Sequence, residues 1–329
     1  MRGLVTTQPA DQWSPGYPQK FPTEMPDTMQ TSQSRSAITP ALAFTALLGG
    51  AFAMGVSPVF VRTAEIGPFA SAFWRVATAL PVLVLWAWLD VRAQARASGA
   101  APAMLTFAQP VILSGLFFAG DLTFWHLAVL NTTMANATLM SCLAPVWVLL
   151  LSGAFIGEAV PRRSFYGLAL CLAGAAMLVG SSYGVDKSRI VGDVYGIITS
   201  FFFGLYFLAI RVGRRQASGG VLTLSSSIVT CAVLLVVALV SGNSMLPETA
   251  RGYAALGALG LVSHAGGQGL LTLALGVLSA AFSSLVIFLE AFAAALFGWL
   301  FFDETLGPLQ LAGGGLILLG VWIARPKTP

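Results

Sequence analysis

Arg75, Asp121, His264, Gln268 and Glu290 are the side chains here whose types and places can do chemistry, because each stands inside a long apolar run. An ionisable group near the centre of a bilayer costs roughly 2.5–3.5 kcal/mol on insertion scales, so each requires a compensating role. Arg75 and Asp121 each lie nine residues from the outer end of consecutive apolar segments. At about 1.5 Å of rise per helical residue they sit at similar depth. Two roles are open: an ion pair that joins the second and third segments, or a guanidinium that meets a substrate carboxylate or forms a gate. His264 and Glu290 fall near the middle of two later segments, with Gln268 one turn from His264 on the same face. These three form the candidate polar patch of a central cavity. Glu290 can handle a substrate amine or a proton, or remain a neutral, hydrogen-bonded carboxyl. His264 is a ligand in one reading and a satisfied packing residue in the other.

Trp74, beside Arg75, and Tyr206, within Phe201-Phe202-Phe203-Gly204-Leu205-Tyr206, lie deep enough to line such a cavity or to pack against its walls. His126 is about one turn from an outer helix end, where interfacial hydration is expected. Glu158 and Glu304 end apolar segments and open the next helix, where a carboxylate favours the N-terminal dipole. They read as structural. Trp86, Trp88 and Trp322 cluster at inner helix ends and Trp299 near an outer one, as in an interfacial aromatic belt.

The elements that must carry these residues are spanning helices. Hydrophobic residues make up 57% of the chain and charged residues 9%, with mean hydropathy +0.82. A soluble domain carries roughly 25% charged residues, so lipid is the main solvent. Ten stretches reach the roughly 20 apolar residues that a crossing requires: about 39–62, 66–89, 107–130, 134–155, 164–182, 192–212, 219–241, 252–276, 278–301 and 308–325. Residues 1–37 are rich in Pro, Thr, Ser and Gln and read as a disordered tail. The segment at about 90–106 is an Ala-rich loop.

Shifted by 146 positions, the first half of the chain overlays the second without a gap. Glu158 falls on Glu304, Gly167 on Gly313, Gly174 on Gly320 and Gly120 on Gly266. The units are 38–183 and 184–329, each with five spans. An odd number of spans forces the second unit to enter the membrane upside down, and the charges agree. The loop with Arg162 and Arg163 corresponds to Asp303 and Glu304, and the loop with Arg62 to the one with Arg211, Arg214 and Arg215. With both termini cytoplasmic, 12 Lys and Arg fall inside and 4 outside, as the positive-inside rule requires. These features predict an all-α integral membrane fold of ten helices in two inverted-topology repeats.

Leu143-Ala144-Pro145-Val146, the apolar run to Gly157-Glu158, and Gly167 and Gly174 resemble the EamA-type repeat of the drug/metabolite transporter superfamily. Leu289-Glu290-Ala291-Phe292 through Glu304, Gly313 and Gly320 look like the second copy, and Phe73-Trp74-Arg75 resembles the family's second-span pattern. The resemblance implies a central substrate cavity and export of small metabolites such as amino acids across the bacterial inner membrane. Ala291 replaces the proline usual in the second copy, so a straighter ninth helix is expected than around Pro145.

No phosphate-cradling glycine loop, His-Glu-x-x-His motif or Cys/His cluster is present in the sequence. No enzyme activity, metal, cofactor or nucleic-acid partner is expected. The expected partners are a small-molecule substrate and the lipid bilayer, the chain being a monomer or a homodimer through its Gly-rich helices. Cys142, Cys171 and Cys231 read as small buried hydrophobes. One deep arginine and no deep lysine disfavour a polyanion such as a nucleotide sugar. The rival functions are a broad drug/nucleotide-sugar-type transporter of the same fold and an intramembrane enzyme on lipid-linked substrates.

Overall fold

A computed structural model describes residues 38–132, 134–180, 190–242, 244–302 and 307–326. The N-terminal tail, the loop carrying Lys187 and Arg189, and Asp303 and Glu304 lie outside the described residues. Every element among the described residues is helical: α1 Pro40–Gly55, α2 Ser57–Thr63, α3 Pro68–Ala77, α4 Leu80–Ser98, α5 Gln109–Asn131, α6 Met134–Ser141, α7 Ala144–Ile156, α8 Arg162–Gly180, α9 Ile190–Gly213, α10 Gly219–Val240 and α11 Ala250–Ala258. A π-helical segment, Leu259–Gln268, then leads into α12 Gly269–Leu275, α13 Ala280–Val286, α14 Phe288–Phe302 and α15 Pro308–Ala324.

Joined end to end, these helices form eight rods that are long and apolar enough to cross a bilayer. The expected fifth and tenth spans correspond to α8 and to the 17-residue α15. The order of packing follows an internal two-fold. α9 packs on α5 as α12 and the π segment pack on α1, and α9 packs on α7 as α14 packs on α1. α4 meets α10, and α8 meets α15, each helix beside its own counterpart.

Helix breaks follow from proline in three spans. α1 gives way to α2 just before Pro58, α3 to α4 before Pro81, and α6 to α7 before Pro145. Proline has no N–H and its ring collides with the carbonyl four residues back, so the ladder cannot run through it. The ninth span departs from the sequence expectation of a straighter helix. It breaks at Ile287 although Ala291 stands in the proline position, because tight i→i−3 bonds replace the α ladder: Ile287 N to Ser284 O at 3.1 Å and Glu290 N to Ile287 O at 2.7 Å.

A second departure is α4, which continues to Ser98, through much of the expected 90–106 loop. Its Asp-Val-Arg-Ala-Gln-Ala-Arg-Ala stretch is rich in good helix formers, and Gly99 at φ 74° ends it as a left-handed cap. Four glycines of α8 and α15 pack these two helices together within the chain. Gly167 lies against the Gly320 backbone and Gly174 against that of Gly313.

Candidate functional site

The breaks converge on one cavity of about 120 Å³, to which both halves of the chain contribute. Its polar lining comes from Ser57 on α2, Arg75 on α3, Asp121 on α5, Ser141 on α6, Thr199 on α9, Gln268 at the end of the π segment and Glu290 on α14. Phe118, Trp125 and Phe203 supply aromatic walls. Opened or overwound turns free helix backbone and re-aim side chains, and π segments recur at functional sites for that reason.

Arg75 is 7% exposed, and its Nη1 donates to Ser57 Oγ at 3.3 Å, while its buried Nε has no partner. Asp121 and Glu290 are near enough for its charge to act on both. No salt bridge within 4.0 Å joins Arg75 to Asp121 among the described residues, so the two share a cavity and not a direct ion pair. Gln268 Nε2 donates to Met54 Sδ at 3.1 Å, which leaves its Oε1 buried and unpartnered. Glu290 Oε1 is likewise buried without a partner.

The remaining expected site residues stand elsewhere. His264 is buried behind the cavity wall, with Nε2 2.8 Å from Ser227 Oγ and its ring 5.6 Å from that of Phe118, the residue at the same repeat position in the first half. Tyr206 is buried among Phe118, Phe203 and Phe207, with centroids at 4.8, 6.0 and 6.3 Å. It braces the wall without lining it. Trp74 turns toward the end of the bundle, where Nε1 donates to Met245 O at 2.6 Å. His126 is 1% exposed and its Nδ1 lies 2.6 Å from Leu122 O, so it is packed inside instead of hydrated at the interface.

At one end of the bundle Thr249 Oγ1 donates to Glu65 Oε2 at 2.7 Å. At the opposite end Glu158 anchors a cluster of charged hydrogen bonds. Arg211 Nε donates to Glu158 Oε1 at 2.5 Å, and Ala280 N donates to Glu158 Oε2 at 3.1 Å. Arg211 Nη1 also reaches Leu275 O at 2.7 Å, and Arg215 Nη2 reaches Ile156 O at 3.1 Å. One carboxylate thereby gathers the ends of α7, α9, α12 and α13. Sequence reasoning gave Glu158 to the helix that follows it; the fold aims it instead at the start of α13 and at a guanidinium on α9. Ser57, Ser141 and Thr199 were missed as polar cavity lining, and two of them carried a faint signal. Ser57 immediately precedes a proline in an apolar run, and Thr199-Ser200 interrupts another.

The family model described as the EamA-like transporter family matches residues 41–180 and again 190–325. The chain belongs to the EamA-like transporter family. This EamA-like transporter is 29% identical over 219 residues to proteins named pseudopaline exporter CntI from two strains of Pseudomonas aeruginosa, covering 66% of this chain and 75% of the relative. An uncharacterized transporter of Archaeoglobus fulgidus is 28% identical over 60% of this chain and 69% of its own. A solved crystal structure superposes with a TM-score of 0.70 at 17% identity, over 87% of this chain and 95% of that one, which establishes the fold alone.

Proposed function

We propose that this transporter exports small metabolites, amino acids foremost, across the bacterial inner membrane, with both termini cytoplasmic. The observation that carries this is the cavity in which a guanidinium, two carboxylates and a carboxamide from both repeats face one space. An α-amino acid presents a carboxylate and an ammonium, and Arg75 with Asp121 or Glu290 presents their complements. The apolar and aromatic remainder of the lining suits a partly apolar side chain.

The mechanism in this reading is alternating access. The substrate binds among Arg75, Asp121, Gln268 and Glu290, and the two inverted units then rock about it. The Glu158 cluster supports a state closed at the end that charge placement assigns to the cytoplasm. The broken turns at Val56, Thr78-Ala79, Cys142-Leu143 and Ile287 are where half-helices can pivot. That two relatives bear the name exporter favours outward flux.

The test is flux of a panel of labelled amino acids in vesicles holding the purified chain. Saturable flux that Arg75→Met abolishes is the expected result. Absence of flux for every amino acid, with a folded protein, overturns the reading.

A further inference from the structure

The buried side-chain atoms of the cavity that lack any partner are lopsided, one donor against two acceptors. On the donor side, one N–H of Arg75 Nη1 goes to Ser57 Oγ, and Nε is the one buried donor atom of the lining without a partner. On the acceptor side stand three groups. Gln268 is 2% exposed, one N–H of its amide donates to Met54 Sδ, and its Oε1 is unpartnered. Glu290 Oε1 is unpartnered as well. Among the described residues no donor meets the carboxylate of Asp121, itself 7% exposed. Charge repeats the asymmetry, with two carboxylates facing one guanidinium.

Buried polar groups in native proteins are overwhelmingly satisfied, and an acceptor left without a donor costs about 1–3 kcal/mol. A ligand that belongs in this space therefore brings more donors than acceptors. A monoamino acid falls short of that. Its carboxylate meets Arg75 and its ammonium meets one of the two carboxylates, which leaves the other, and the Gln268 carbonyl, facing apolar side chain. A second cationic amine fills the remainder.

Resting on the amino-acid reading above, we infer that the cavity selects a diamino acid, with one carboxylate and two ammonium groups, over a monoamino acid of the same length. Asp121 and Glu290 divide the two amines between them, and Gln268 Oε1 takes one of the remaining N–H bonds. Arg75 fixes the carboxylate end and so sets the orientation of the substrate.

The experiment compares lysine, norleucine and Nε-acetyl-lysine as substrates of the full chain in vesicles. Lysine and norleucine differ by the terminal ammonium, and the acetylated form keeps the stem and Nε but loses the charge and is longer by the acetyl group. A kcat/KM for lysine about tenfold or more above both others is expected, equivalent to about 1.4 kcal/mol of discrimination. Asp121→Asn and Glu290→Gln should each pull the lysine-to-norleucine ratio toward one, and the wild-type comparison stands even where a variant fails to fold. Norleucine moving as well as lysine or better overturns the inference and leaves the amino-acid reading intact. If none of the three moves and no other amino acid does, both fall together.

Discussion

Cys171 Sγ lies 3.6 Å from the carbonyl oxygen of Ile317, the residue 146 positions later and its counterpart in the second repeat. A residue can meet its own counterpart only at the axis that relates the two copies. The glycines on either side obey the same rule. The pair Gly167–Gly320 maps under the 146-residue shift onto Gly313–Gly174, and both pairs are in contact. The contacts run antiparallel along α8 and α15, as inverted copies demand.

Packing at that axis leaves no room for a side chain. A Cβ on Gly174 would stand 2.5 Å from Gly313 O, whereas one on Gly315 would meet nothing within 4 Å. Overpacking costs about 1–3 kcal/mol, so Gly174→Leu should lower the thermal midpoint in detergent by several degrees. Gly315→Leu should leave it nearly unchanged. Equal effects at the two positions would refute the close approach.

Glu158 and Arg211 are 15% and 19% exposed, so their bond is neither a surface ion pair nor a fully desolvated one. Removing a charged hydrogen-bond partner costs about 1.5–3 kcal/mol. Glu158→Gln should therefore destabilise the chain and loosen the ends of α7, α9 and α13 together. The readout is maleimide labelling of Ser283→Cys, a fully buried position on α13, in a chain stripped of Cys142, Cys171 and Cys231. Labelling should rise in the Glu158→Gln background; unchanged labelling shows that the cluster does not close that end.

Arg75 should resist its conservative replacement. A lysine keeps the charge but not the planar fork that holds Ser57 Oγ and still offers Nε to a ligand. Arg75→Lys should raise KM about tenfold or more, and Arg75→Met should remove saturable flux. Wild-type kinetics in Arg75→Lys would show that only a point charge is needed.

Proton coupling, if Glu290 carries it, must act on a cavity where Arg75 and Asp121 face the same space. Flux through the wild-type chain should then vary with pH and lose that variation in Glu290→Gln. A pH profile that survives the substitution removes Glu290 from the coupling step.

Sidedness can be read with impermeant thiol reagents. Ser98 at the end of α4 and Ser244 after α10 are both exposed, and charge placement assigns them to opposite faces. Ser244→Cys should label in intact cells and Ser98→Cys only after permeabilisation. Labelling of both in intact cells would contradict the cytoplasmic placement of the termini.

The sequence alone determined what depends on order along the chain. A bilayer requires a minimum apolar length, so hydropathy located the spans, and a fixed register of Gly and Glu revealed the inverted duplication. Side-chain cost in lipid picked out Arg75, Asp121, Gln268 and Glu290. Tertiary structure alone decided which of these share a space, because partnership depends on helix rotation and crossing. It turned Trp74 away to Met245 O, placed His264 behind Phe118, and gave Arg75 to Ser57 and not to Asp121. It also broke the ninth span at Ile287, where no proline announced it, through i→i−3 bonds that no residue type requires. Glu158 meets a guanidinium 53 residues away only because two parallel rods, α7 and α9, end side by side.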